Sequence, residues 1–211
     1  MKKNLFTMRK EYTSASLHVE DLNPNPFVQF HAWFEDAKPL LEPNAMTLAT
    51  VDTQGKPTVR TVLLKYFDTE GFVFFSNYTS KKAQDLAHNP HAAVHFAWLG
   101  QERQVEICGH VEKISRAESL RYFLSRPHGS QLGAWVSNQS TVISSRSLLE
   151  AKFAQLKAKF AKGEVPLPDF WGGYKLFPTS FEFWQGGGDR LHDRFEYTYH
   201  EKKWSLARLA P

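Results

Sequence analysis

Ala45-Met46-Thr47-Leu48-Ala49-Thr50-Val51, then Asp52-Thr53-Gln54-Gly55, then Thr58 to Phe67 are the runs on which the fold turns. The outer two are rich in apolar and β-branched residues and the middle one carries the Asp and Gly of a turn, so together they predict a hairpin. Strand patterns recur at Gly71 to Phe75, Ala92 to Phe96 and Arg103 to Ile114. They return around Tyr174 to Phe177, Ser180 to Gln185, Arg190 to Tyr199 and Trp204 to Leu209. Short strands in hairpin-like succession with helices inserted among them predict a mainly β, α+β fold. An antiparallel barrel with helical decoration suits this order better than alternating βαβ units.

The helices have their own signals. Asn25-Pro26 supplies a cap and a proline for a first helical position, followed by Phe27, Phe30, Phe34, Ala37 and Leu41 at helical spacing. Ser80 to His88 reads as a short helix ending at Asn89-Pro90. Ser115-Arg116-Ala117-Glu118 is a capping box whose helix stops before Pro127, with Pro127-His128-Gly129 read as a turn. A second box, Ser147-Leu148-Leu149-Glu150, opens a helix with an apolar stripe of Leu149, Phe153, Leu156 and Phe160, read as core. Residues 1 to about 23 are polar and are expected to form a flexible segment ordered by a ligand or partner, leaving 24–211 as one domain.

Composition narrows the function. The chain has 211 residues, 42% hydrophobic and 14% aromatic, which is ample for one sizeable core. A lone cysteine, Cys108, excludes a disulfide framework or a cysteine-rich zinc site and predicts a reducing, cytoplasmic setting. Neither a signal-peptide core nor a membrane-length apolar run is present in the sequence. The formal charge is +4, but basic and acidic residues are interspersed, which disfavours a nucleic-acid stripe and leaves discrete anion pockets.

Several constellations suit such pockets. In an extended Arg190-Leu191-His192-Asp193-Arg194, the residues Arg190, His192 and Arg194 share one face. That face fits either an anionic ligand or a solvated basic strand edge. Arg60 and Lys65 are an odd number apart, so a regular strand would point them to opposite faces. Lys81-Lys82 at a helix start opposes the macrodipole, which fits an anion seat about as well as a solvated pair. Tyr122 and Arg126 share a helix face with Ser130 following, a set that suits a phosphate monoester or a surface stack. Gln104, Gln139, Ser140 and Trp184 add hydrogen-bonding groups and an aromatic plane.

The usual enzyme signatures are missing from the sequence. No dinucleotide or Walker loop and no HExxH pair occurs, and Gly186-Gly187-Gly188 reads as a flexible turn. His88, His91 and His95 lack an obvious acidic partner, so no metal is expected. Cys108 in a strand reads as a small core residue rather than a nucleophile.

Taken together, the ordered blocks resemble the pyridoxamine 5′-phosphate oxidase family. They are Arg9-Lys10-Glu11-Tyr12, Arg60 to Lys65, Asn77 to Lys82, Arg103-Gln104-Val105, Tyr122 to Pro127, Gly133 to Ser137, Phe170 to Gly173, Phe183 to Gly186, Arg190 to Arg194 and Arg208 to Pro211. The resemblance implies a split β-barrel of antiparallel Greek-key type and a homodimer with FMN between subunits. By the same resemblance Arg60, Thr61, Val62, Leu63, Leu64, Lys65, Phe75, Ser76, Lys81, Lys82, Gln104, Gln139, Ser140, Trp184 and Arg194 line the FMN site. Lys65, Tyr122, Arg126 and Ser130 hold the substrate phosphate, Arg190, Leu191 and His192 face its ring with Arg190 and His192 as catalytic residues, and Arg9 and Tyr12 close over it.

The activity implied is oxidation of pyridoxamine or pyridoxine 5′-phosphate to pyridoxal 5′-phosphate, with dioxygen reduced to hydrogen peroxide and ammonia released from the amine. Two departures stand out: Lys81-Lys82 where the family often has Arg-Lys, and Phe75-Ser76 where it often has Tyr-Thr. Both imply altered FMN affinity rather than lost function. Competing readings are a non-catalytic flavin or pyridoxal phosphate binder on the same barrel and a split-barrel flavin enzyme that uses nicotinamide.

Overall fold

Asn25 caps the first helix as its sequence predicts: its Oδ1 accepts the Phe27 N–H at 2.9 Å, and Pro26 occupies the first turn. The structure, a computed structural model, describes residues 4–8, 10–13, 15–136, 138–161 and 163–211. In chain order the elements are α1 (Pro26–Ala37), β1 (Ala45–Val51), β2 (Pro57–Leu63), β3 (Tyr66–Phe67), β4 (Phe72–Asn77), α2 (Lys81–His88), β5 (His91–Trp98) and β6 (Arg103–Lys113). There follow α3 (Arg116–Ser125), α4 (His128–Val136), α5 (Arg146–Lys159), β7 (Trp171–Gln185), β8 (Asp193–His200) and β9 (Lys203–Leu209). The sheet order is β2-β1-β5-β6-β7-β4-β3, with β8 on β7 and β9 on β8.

The chain divides into two compact units, one of Met1–Met46, Ala93–Cys108 and Pro178–Pro211, the other of Thr47–Ala92 and Gly109–Phe177. In the first, α1 lays its buried face on an aromatic core: Phe27 meets Phe181 at 5.2 Å, Phe30 meets Phe96 at 5.2 Å and Trp33 meets Phe183 at 5.2 Å. Rings of this size dominate burial energetics, and most of these contacts are edge-on or tilted as their quadrupoles prefer. β7 pairs antiparallel with β8 from Ser180 opposite Thr198 to Gln185 opposite Asp193.

In the second unit β7 pairs with β4 from Phe72 opposite Leu176 to Asn77 opposite Trp171. A core of Phe123, Leu132, Val165, Leu167 and Trp171 is flanked by Phe153, Leu156 and Phe160, so the stripe read on α5 does face apolar packing, half-buried. Gly172 and Gly173 are sterically required here. A Cβ on Gly172 would run into the Tyr78 hydroxyl and Ser119, and one on Gly173 into Ile114 and Phe75. Their bareness lets the Tyr78 hydroxyl donate to the Gly173 carbonyl at 3.2 Å and the Gly173 N–H donate to Ser119 Oγ at 3.2 Å. β7 and α3 are thus held at backbone range.

Some local expectations fail for identifiable reasons. The run Thr58 to Phe67 is not one strand: β2 ends at Leu63 and β3 begins at Tyr66, with Leu64 buried and the Lys65 N–H given to Val73 O at 2.8 Å. Leu41 is 95% exposed, because α1 stops at Ala37, two residues before Pro39. The second capping box does not form. α5 begins at Arg146 after Ser145, whose hydroxyl bonds Ser147 at 2.7 Å, while Arg146 takes Glu150 at 2.8 Å. The Pro127 carbonyl, accepting from Ser130 and Gln131, opens α4 where a turn was expected. Finally, β7 is one strand of 15 residues rather than two, and Pro178 falls between its ladders with β4 and β8.

Candidate active site

β2, β4, α2, α3 and α4 frame a cavity of about 760 Å³ in the second unit, within the usual range for a small-molecule site. Four cations line it, Arg60, Lys65, Lys82 and Arg126, and none of the described lining residues is acidic. Arg60 is held from behind: Nη1 donates to Leu48 O at 3.1 Å and Thr50 Oγ1 at 2.7 Å, and Nη2 donates to Thr58 Oγ1 at 2.7 Å. Both hydroxyls in turn donate to the buried Asp85 carboxylate, at 2.7 and 3.0 Å. Burial pushes the Arg60 pKa down and Asp85, 3.7 Å away, pushes back.

The lysine pair separates. Lys82 is 8% exposed and its Nζ donates to Gln139 Oε1 at 2.7 Å, Ser76 Oγ at 3.1 Å and Ser80 Oγ at 3.4 Å, all neutral oxygens. Burial and then the Arg60 charge depress its pKa. Lys81 instead reaches outward to Asp85 at 3.7 Å and Asp52 at 3.8 Å, and its backbone N–H donates to Ser140 Oγ. Only Lys82 lines the cavity.

On the other wall Tyr122 stacks on Phe75 with ring centroids 4.0 Å apart, and Lys65 Nζ stands 6.0 Å from the Tyr122 ring. Arg126, at the C-cap of α3, lies 4.7 Å over Trp171. Its Nη1 is buried without a hydrogen-bond partner among the described residues, and burial depresses its pKa. A donor buried unsatisfied is costly, so this guanidinium would gain from an anionic acceptor in the cavity. Ser130 lines the same cavity from the first turn of α4. Arg60 and Lys65 therefore share one cavity despite their odd spacing, because the chain leaves the strand between them. Thr61, Val62 and Leu63 also line it, whereas Leu64 packs at 4% exposure.

The remaining candidates lie in the first unit. The Trp184 and His192 rings are 4.6 Å apart, and Tyr12 stands edge-on to both at 5.7 Å. His192 Nδ1 accepts the Gly187 N–H at 3.1 Å. The shared-face reading of Arg190, His192 and Arg194 is wrong. Gly188–Arg190 forms a 3-10 turn, Asp189 and Arg190 have φ of 52° and 64°, and β8 starts only at Asp193, so strand alternation does not reach Arg190. Nor is Arg194 open: Nε and Nη2 grip Glu182 at 2.7 and 3.0 Å, which raises its pKa, and Nη1 donates to Ala210 O. Arg190 and Leu191 are exposed. Gln104 Oε1 lies 3.0 Å from His95 Nε2. Arg9 lies outside the described residues.

The structure thus gathers Arg60, Lys65, Phe75, Ser76, Lys82, Tyr122, Arg126, Ser130 and Gln139 around one cavity, and Tyr12, Trp184 and His192 in a separate cluster. Sequence reasoning missed Asp85, Glu182 and Trp171. Asp85 had a signal in its spacing of four from Lys81 on a helix, and Trp171 in its place within the Phe170 to Gly173 block. Cys108 is half-buried, and burial followed by Glu106 pushes its thiol pKa up, away from thiolate chemistry.

Residues 35–160 match the family model described as pyridoxamine 5′-phosphate oxidase, and residues 171–211 match the pyridoxine 5′-phosphate oxidase C-terminal dimerisation region. The chain belongs to the pyridoxamine 5′-phosphate oxidase family. A pyridoxine/pyridoxamine 5′-phosphate oxidase of Crocosphaera subtropica is 60% identical, covering 99% of this chain and all of the relative, and one from Aliarcobacter butzleri is 59% identical over the same shares. Among solved structures, PhzG from Burkholderia lata, in complex with tetrahydrophenazine-1-carboxylic acid, superposes with a TM-score of 0.88 at 26% identity, covering 94% of this chain and 100% of that one. An FMN-binding protein of Nostoc punctiforme related to the family shares the fold, with a TM-score of 0.72 at 17% identity, covering 90% of this chain and 98% of that one. The split-barrel fold expected from the sequence is therefore the fold of this chain. Among the described residues no helix is long and apolar enough to cross a membrane.

Proposed function

We propose that the protein oxidises pyridoxamine and pyridoxine 5′-phosphate to pyridoxal 5′-phosphate, with FMN as cofactor and dioxygen as final oxidant. The observation that carries this reading is the cavity with four cationic groups and no acid among its described lining residues. One group of donors, Arg60, Ser76, Lys82 and Gln139, suits the FMN phosphate. The other, Lys65, Tyr122, Arg126 and Ser130, suits the substrate phosphate. The residues fit an anionic cofactor: Lys82 is buried against neutral oxygens alone among its described partners, and Arg126 Nη1 lacks an acceptor, so each gains from an arriving phosphate oxygen. Thr61, Val62 and Leu63 line the same cavity, and Lys81, whose N–H donates to Ser140, begins the helix that carries Lys82. Leu64, Gln104, Trp184 and Arg194 are the further flavin-binding residues of this reading.

FMN, when bound, supplies the two-electron acceptor, and dioxygen takes those electrons to give hydrogen peroxide. The side chains bind and orient. Arg126 and Lys65 anchor the substrate through its phosphate, which places the carbon bearing the amine or alcohol without any nucleophile. Arg190 and His192 face the pyridine ring as the catalytic pair, with Leu191 beside them. For the amine, water then hydrolyses the imine product to the aldehyde and ammonia; for the alcohol the aldehyde forms directly.

The working form in this reading is a homodimer with FMN at the subunit interface, supported by the match of residues 171–211 to a dimerisation region. Residues 24–211 act as one FMN-binding domain, and Tyr12, in the N-terminal segment, closes over the substrate. The lone Cys108 supports a cytoplasmic setting for this reading. The test is anaerobic mixing of the yellow protein with pyridoxine 5′-phosphate and, separately, with NADPH. Bleaching of the flavin by the first alone is expected. Colourless protein that does not take up FMN, or bleaching by NADPH alone, would overturn the reading.

A further inference from the structure

Glu102 is the least expected acid in the first unit. It follows the 3-10 turn Leu99–Gln101 in a left-handed conformation, φ 56° and ψ 37°, that side chains other than glycine adopt at a cost. Its side chain is only 1% exposed, yet carries a carboxylate. Oε1 lies 2.9 Å from Lys10 Nζ and Oε2 accepts the Thr13 N–H at 2.9 Å, so both oxygens hold the N-terminal segment. Its backbone carbonyl accepts the Gly186 N–H at 2.7 Å. Gly186 must stay bare, since a Cβ there would come within 2.8 Å of Tyr12 Cγ and 3.0 Å of Glu102 Cβ.

Between the two residues that Glu102 holds lies Tyr12, whose ring stands edge-on to Trp184 and His192 at 5.7 Å from each. A second carboxylate holds the segment further on: Asp193 Oδ2 accepts the Leu17 N–H at 2.9 Å and Oδ1 binds Arg208. Although burial pulls upward, the Leu17 N–H and Arg208 keep the Asp193 carboxyl below the usual range. The segment is pinned on both sides of Tyr12 by acidic side chains, and the strained, buried Glu102 serves as one pin.

We infer that Glu102 is a positioning residue: its carboxylate clamps residues 10–13 so that Tyr12 caps Trp184 and His192 and fixes that wall of the substrate site. This rests on the proposed function, and the experiment separates the two. Glu102→Ala, Glu102→Gln and Lys10→Met are compared with wild type in FMN-loaded protein. Amide exchange of Thr13 is read without substrate, and kcat and KM are read with pyridoxine 5′-phosphate.

In Glu102→Ala the Thr13 amide should exchange at least about tenfold faster, while core amides and FMN affinity hold. KM should rise more than kcat falls. Glu102→Gln, which can still accept the Thr13 N–H, should fall between, and Lys10→Met should add nothing in the Glu102→Ala background. Lys10 is largely exposed, so its variant also reports if Glu102→Ala fails to fold. Unchanged Thr13 exchange in Glu102→Gln and Lys10→Met overturns the clamp, and faster exchange with unaltered KM overturns its role at the site. Wild type that protects Thr13 but does not turn over the substrate refutes the functional reading instead.

Discussion

Replacing Arg126 with Met should make the empty protein more stable and the enzyme worse at holding substrate. The side chain lies over Trp171 at 4.7 Å and Phe123 at 5.8 Å, contacts that a methionine stem and sulfur largely retain. What the substitution removes is a buried Nη1 with no partner among the described residues, an arrangement that costs about 1 to 3 kcal/mol. Against this stands a lost cation–π contribution of about 0.5 to 1 kcal/mol. The balance favours the variant by roughly 1 kcal/mol, or about 2 to 4 °C in melting temperature for a chain of this size. A hydrogen bond between charged partners contributes about 1.5 to 3 kcal/mol, so pyridoxine 5′-phosphate should bind roughly 10- to 150-fold more weakly. Thermal unfolding of the substrate-free protein and anaerobic calorimetric titration measure the two effects. A variant that melts lower than wild type and binds pyridoxine 5′-phosphate equally well would refute the reasoning on both counts.

Lys82→Met should stabilise FMN-free protein at neutral pH and weaken FMN binding in a titration. Because burial and Arg60 depress the Lys82 pKa, the unfolded chain keeps a proton that the folded one sheds, so wild-type stability rises with pH between the folded value and 10.5 and the variant loses that slope. Tyr197, whose hydroxyl donates to Asn23 O at 2.8 Å, has its pKa pushed up by burial to about 12. The unfolded chain ionises first, so stability should fall from about pH 10 upward by on the order of 2 to 3 kcal/mol in total, and urea midpoints of Tyr197→Phe should be flatter there. Arg194→Gln breaks the two-pronged grip on Glu182 and should lower both the melting temperature and FMN retention; lost stability with unaltered FMN affinity would make Arg194 purely structural.

The strands, the α1 cap and the Ser115 box were legible because each rests on neighbours in sequence: Ser115 Oγ does accept the Glu118 N–H at 3.1 Å. What escaped depends on distant groups. The alternation argument treated Thr58 to Lys65 and Arg190 to Arg194 as uninterrupted strands, and no local signal shows that Lys65 gives its N–H to Val73 or that Gly187 turns back to His192. The cations of the cavity were individually readable, and so was the doubt over Lys81-Lys82, which the fold resolves by burying one and pairing the other. The supports behind the cations were less readable: Asp85 shows only its spacing from Lys81 and comes to back Arg60 when β2 meets α2, and Glu182 comes to hold Arg194 only when β7 meets β8.

The bare pair Gly172 and Gly173 sets a limit on redesign. Since α3 rests on the β7 backbone itself, the spacing between the Tyr122 and Arg126 wall and the strand beneath is not adjustable by choosing a larger or smaller side chain at the contact. A Cβ at Gly172 would meet Tyr78 and crowd Ser119 of α3, and one at Gly173 would meet Ile114 and Phe75, so either substitution disturbs the packing around that helix. A designer wanting a narrower cavity would do better on α4, where Gly133 borders the cavity and a Cβ would meet nothing within 4 Å. The site therefore has one wall of fixed gauge and another open to padding.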